Sequence, residues 1–223
     1  MFENVPLWLY VMDLFGTFIF ALTGGFRAIK YEMDLLGVVS LATVVGVGGG
    51  ITRDVLLGAT PPFALRSADY LIVTAVAGAG VFFFARLLAL RWRFILYADA
   101  LGLGLFAAIG AARAAYAGLG LVGIMVVAAI ASVGGGIIRD MLTGEIPTAF
   151  QKDIYASAAL TGGFVYWALN SLGVAGRMPF TAALIVTFLM RAVTLTWNLH
   201  LPRSKRLPVS PSEMSRHFKK QRK

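Results

Sequence analysis

The chain contains no cysteine. A disulfide framework and a thiolate metal site are excluded, and cysteine usage says nothing about redox compartment. Histidine is almost as scarce: His200 and His217 lie at the end of the last apolar stretch and in the tail beyond it. The apolar segments therefore hold no Ser/His, Glu/His or metal-ligand cluster, and an enzyme is not expected. Charge is thin as well. Only 14% of the residues are charged against 58% hydrophobic, and the mean hydropathy of +0.78 lies outside the range of soluble domains of 223 residues. The first apolar segment has no Lys or Arg ahead of it and no small-residue cleavage site behind it, so it reads as a retained span. Ten-residue alternation of apolar and polar residues is missing too, which argues against a membrane barrel.

What remains is an all-α membrane protein. Uncharged runs at Leu35–Thr52, Ala114–Ile138 and Ile154–Gly176 reach the roughly 18 residues that a bilayer core demands of a helix. Allowing one or two charges per span adds 6–28 around Asp13, 69–90, 94–116 around Asp99, and 178–200 around Arg191. Seven spans are expected. The tail after His200 carries Arg203, Lys205, Arg206, Arg216, Lys219, Lys220, Arg222 and Lys223, so the C-terminus is expected in the cytoplasm and the N-terminus outside. Glu3 as the only charge before Asp13, and Arg27/Lys30 and Arg86/Arg91/Arg93 in inward-facing connections, agree with that orientation. A tail of this charge is expected to lie on anionic lipid. It lacks the interleaved aromatics that nucleic-acid binding would favour.

Residues 13–61 repeat in 99–147, with 20 identities in 49 positions laid side by side without a gap. Asp13/Asp99, Phe20/Phe106, Arg27/Arg113 and Pro61/Pro147 are among them, and the longest match is Gly48–Gly49–Gly50–Ile51–Thr52–Arg53–Asp54 against Gly134–Gly135–Gly136–Ile137–Ile138–Arg139–Asp140. The chain divides into 1–90 (three spans), 91–176 (three spans), 177–201 (the last span) and 202–223 (the basic tail). An odd number of spans per unit turns the second copy over, giving an inverted 3+3 repeat plus one C-terminal helix. Folds of that plan place their working site near the midplane, where the repeats meet.

Three glycines in a row weaken a helix by about 1 kcal/mol each relative to Ala, so kinks or breaks are expected at 48–50 and 134–136, with backbone carbonyls turned to a wet passage. The competing use of such glycines is close helix packing. Ionisable groups at membrane depth are costly and normally paired; Asp13 with Arg53 and Asp99 with Arg139 are the expected pairs. Asp54 and Asp140, one position after their arginines, point about 100° around the helix and are expected outside those pairs, at pore mouths. Ser40, Thr43 and Ser132 fall within two or three turns of the triplets as candidate pore hydroxyls. Arg191 has no symmetry mate and no evident partner.

A seven-span chain with GGGxxRD on its second and fifth spans resembles the trimeric intracellular cation channels, specifically their prokaryotic branch, also labelled glycine-transporter-like. The resemblance covers about residues 5–200. It implies a homotrimer in the inner membrane of a prokaryote, each protomer with its own pore lined by spans one, two, four and five. The pore would pass monovalent cations such as K+ or Na+ and need no cofactor. It implies pore glycines at Gly48–Gly50 and Gly134–Gly136, and basic pore residues at Arg53 and Arg139. The animal members' charged signature ahead of the first triplet is replaced here by Val44–Val45–Gly46–Val47. Inverted repeats are also the plan of secondary carriers, so a transporter of a small amino acid such as glycine is the alternative.

Overall fold

Apolar runs must satisfy their own backbone polar groups, and every long run here does so as a helix. A computed structural model describes residues 6–89, 92–151, 154–174 and 176–197. In it, α1 (Leu7–Lys30) and α2 (Leu35–Leu56) pack against each other across a tight turn, and the Asp34 carboxylate caps α2 by accepting from the Gly37 N–H at 2.7 Å. A single turn, α3 (Phe63–Arg66), leads into α4 (Ala68–Ala89). The pattern then repeats as α5 (Trp92–Tyr116), α6 (Leu121–Leu142), the single turn α7 (Thr148–Gln151) and α8 (Ala156–Ser171). The last described element is α9 (Met178–Trp197).

Among the described residues six helices are long and apolar enough to cross a membrane. The exception is α8, with 16 residues. Its uncharged run continues to Gly176, but Gly173 takes φ +73°, and the Gly173 and Val174 N–H groups fold back onto the carbonyls of Asn170 and Leu169. A left-handed glycine of this kind ends a helix whatever the hydropathy beyond it. Even so, α8 bridges two ends of the molecule. Tyr155, just before it, reaches Asp99 near the start of α5, while Phe180 in α9, just beyond it, meets Trp8 in the first turn of α1 edge to face.

The halves α1–α2–α4 and α5–α6–α8 meet through α2 on α6 and α1 on α5, and α9 packs on α5 and α8. The contacts across this seam are reciprocal. Phe20 stacks on its own equivalent Phe106 with centroids 5.1 Å apart, Gly16 faces Phe106, and Gly102 faces Phe20. A Cβ on Gly49 would lie 2.2 Å from the Ala131 carbonyl oxygen, and one on Gly135 would lie 2.5 Å from that of Val45. Contacts in which i meets j and j meets i are the signature of a twofold axis, here one between repeats.

The expected breaks at the glycine triplets are not present. Helix α2 is unbroken from Leu35 to Leu56 and α6 from Leu121 to Leu142, both including the triplets at 48–50 and 134–136. The triplets are where two backbones touch, so the weaker propensity of glycine is offset by a crossing that no side chain would permit. The basic tail 202–223, Glu3, Arg91, His200 and His217, and the Arg86 side chain lie outside the described residues.

Candidate functional site

Two ionic clusters, built from equivalent residues, lie at opposite ends of the seam. In the first, Asp13 sits seven positions into α1 and Arg53 near the end of α2, both 1% exposed. Arg53 grips Asp13 with two nitrogens, Nη1 to Oδ1 at 3.2 Å and Nη2 to Oδ2 at 3.0 Å, and donates Nε to Asp54 Oδ1 at 2.9 Å. Tyr70 from α4 donates to Asp13 at 3.3 Å, and the other Asp54 oxygen accepts the Phe63 N–H at 3.0 Å. One guanidinium thus ties α1, α2 and the start of α3 together. A fork-shaped, always-charged donor is suited to that task where an ammonium is not.

The second cluster repeats this plan. Arg139 donates to Asp99 at 2.8 Å and to Asp140 at 2.9 Å, Tyr155 donates to Asp99 at 3.0 Å, and Asp140 accepts the Thr148 N–H at 2.8 Å. Additional groups arrive from α1: Thr23 Oγ1 accepts from Arg139 at 3.3 Å, and Arg27 bridges Asp140 and Glu145 at 2.8 Å each. Lys30 at 3.1 Å and the Tyr31 hydroxyl also hold Glu145. Since Asp13 and Arg27 are fourteen residues apart on one helix, the clusters are about 21 Å apart along it. The first is sealed, whereas the second opens into a cleft of about 220 Å³ walled by Thr23, Arg27, Ile95, Asp99, Arg139 and Arg191 among others.

The expected pairs Asp13/Arg53 and Asp99/Arg139 are in contact. The pairing of Asp54 and Asp140 requires correction: each joins its preceding arginine and is 2% or less exposed. The guanidinium is long enough for Nε to meet the next side chain despite the 100° offset. The hydroxyls are not gathered into a lining either. Ser40 is exposed, Thr43 half-buried, and Ser132 is buried with its hydroxyl donated to the Ala129 carbonyl at 2.9 Å. Arg191, unassigned from the sequence, lies over the Tyr155 ring at 4.8 Å and belongs to the second cluster.

Tyr70 and Tyr155 were not picked out from sequence because they are 85 residues apart while the gapless repeat has a spacing of 86. The slip falls between Pro61/Pro147 and Phe63/Thr148, so allowing one gap after the prolines recovers both tyrosines. Glu145 left no signal, its equivalent being Ala59.

Comparison with known proteins agrees with this architecture. A family model described as a glycine transporter matches twice, over residues 10–86 and 96–171, once per half. A UPF0126 membrane protein of Vibrio cholerae is 36% identical over 196 residues, covering 87% of this chain and 82% of that protein. A chain solved in work on conductance through TRIC cation channels superposes with TM-score 0.82 at 36% identity, covering 89% of this chain and 98% of its own. The TRIC orthologue from Rhodobacter sphaeroides gives TM-score 0.83 at 39% identity, covering 87% and 100%. This multi-pass membrane protein therefore belongs to the prokaryotic branch of the trimeric intracellular cation channel family, the family whose sequence model carries the glycine-transporter description.

Proposed function

We propose that the protein is a potassium-permeable channel for monovalent cations, assembled as a homotrimer in the inner membrane with one pathway per protomer. The chain has seven spans in an inverted 3+3+1 arrangement, with α8 as a short sixth, so the termini lie on opposite sides, and the basic residues after His200 favour an outside N-terminus and a cytoplasmic C-terminus. The pathway runs along the seam of α1, α2, α5 and α6. The observation that carries this reading is the likeness to solved TRIC channels over nearly their whole length, with an ionic cluster at each end of that seam.

With intact helices at the glycine triplets, broken backbone does not supply the passage. Gating falls to the clusters. The carboxylates that hold Arg53 and Arg139 balance guanidinium charge that would otherwise repel a cation, and displacement of the arginines opens or blocks the way. Because a full crossing of one charge is worth roughly 2.3 kcal/mol per 100 mV and the displacement is short, weak voltage dependence is expected. The basic tail rests on anionic lipid.

A planar-bilayer recording with potassium on one side and a large organic cation on the other tests pore, sign and size together. Unitary potassium currents are expected. The second reading, a carrier of a small amino acid, draws on the cleft, whose walls hold both carboxylates and guanidinium groups as a zwitterion would require. Saturable glycine uptake without unitary currents would decide for it.

A further inference from the structure

The two ends of the seam are made of the same parts in different conformations. Arg27 and Arg113 are repeat equivalents. Arg27 is latched, its guanidinium on Asp140 and Glu145 at 2.8 Å. Arg113, 3% exposed, has two nitrogens without a hydrogen-bond partner, lies 4.0 Å from Asp13, and rests on the Phe63 ring at 4.5 Å. Asp54, the equivalent of Asp140, is bonded to Arg53 and the Phe63 N–H, with no hydrogen bond or ion pair to Arg113. The same contrast holds for the apolar lining. Ile95 walls the cleft, whereas its equivalent Leu9 is completely buried.

We infer that the protein has a second conformation in which these roles exchange: Arg113 seats on Asp54 as Arg27 now seats on Asp140, the end around Leu9 opens, and the cleft around Ile95 closes. Two features of the molecule support the exchange. Equivalent side chains give each half the chemistry of the other, and inverted repeats commonly interconvert by one half adopting the conformation of its mate. A buried guanidinium with unsatisfied donors is also a costly arrangement that a nearby carboxylate relieves. Each end has a carboxylate beyond the shared set, but that of the first end, Asp69, is bonded to Tyr10 and Ser67 rather than to an arginine. Glu145, facing Ala59 across the repeat, holds the latch at Arg27 and biases the molecule toward the conformation described here. This exchange goes beyond the channel reading and applies equally to a carrier.

The cysteine-free chain allows a direct test with single cysteines in the full-length protein, reconstituted in vesicles and exposed to a water-soluble thiol reagent. In the otherwise unchanged protein, Ile95→Cys is expected to react at least tenfold faster than Leu9→Cys. Adding Glu145→Ala is expected to speed Leu9→Cys several-fold and slow Ile95→Cys. Adding Arg113→Gln on top is expected to reverse both changes. Rates that rise together in the Glu145→Ala background, or that ignore Arg113→Gln, would overturn the exchange and leave Arg113 a static filler. Should Leu9→Cys fail to accumulate, Phe63→Cys against Thr148→Cys, half-buried equivalents at the same two ends, gives the same reciprocal readout.

Discussion

The clusters share a plan but differ in what losing one side chain would cost. Arg53 is buried together with both of its carboxylates, so Arg53→Ala leaves Asp54 without a cation and Asp13 with only the Arg113 guanidinium at 4.0 Å, in a dry site. Breaking such a pair costs about 3–5 kcal/mol, and loss of most folded protein is expected. Arg139→Ala acts beside a cleft that water can enter, and a smaller loss is expected from it. Thermal unfolding of the two variants in detergent checks the order. Where Arg139→Ala folds, altered open probability in single-channel recordings is expected; unchanged conductance and open probability would exclude Arg139 as a gate. A third residue-scale outcome concerns acid. Hydrogen bonds from Tyr31 and Lys30 hold the Glu145 carboxyl below the usual glutamate range. Its latch is therefore fully present above the ordinary glutamate value and is lost as pH falls through the lowered one. The same bond pushes the Tyr31 hydroxyl upward, so the latch holds below the ordinary tyrosine value and is lost as alkali passes the raised one. Protection of the amides around residues 28–33 against hydrogen exchange, taken relative to the intrinsic rate at each pH, should be constant between those limits and fall on the acid side, and Glu145→Gln should remove the acid limb.

At the level of the helices, glycines in the triplets and a glycine in α4 carry opposite predictions. Gly49→Ala and Gly135→Ala drive a Cβ into a carbonyl of the facing helix, an overpacking worth about 1–3 kcal/mol or more since backbone must move. Gly80→Ala, with no atom within 4 Å of the new Cβ in α4, is expected to stabilise by up to about 1 kcal/mol through helix propensity. Unfolding midpoints that fall for the first two and hold or rise for the third would confirm the crossing. These glycines also show what was legible beforehand. Hydropathy located the long helices, and the gapless repeat picked out Asp13, Arg53, Asp99 and Arg139 because pairing and duplication are both visible in a string of letters. Whether Gly48–Gly50 bends a helix or admits another backbone is not visible there, since propensity is local and the facing Ala131 is 82 residues away. Tyr70, Tyr155 and Glu145 stayed hidden for related reasons, two behind a one-residue slip and one because its equivalent, Ala59, carries no charge.

For the whole molecule, the deciding fact is that each chain holds both clusters, the seam between them and the cleft. Every ionic contact in them is made within one chain. In the homotrimer proposed above, assembly then has no gap in the proposed pathway to fill, in contrast to a channel whose pore lies on the oligomer axis. Co-expressing unaltered chains with Arg139→Ala chains separates the two designs. With one pathway per protomer, mixed trimers should show three independently gating current levels, and the number of levels with altered open probability should equal the number of substituted chains. A shared central pore would instead give a single level whose conductance and gating shift by degrees with composition, and that result would remove the per-protomer pathway from the proposal while leaving the ionic clusters as a structural seam.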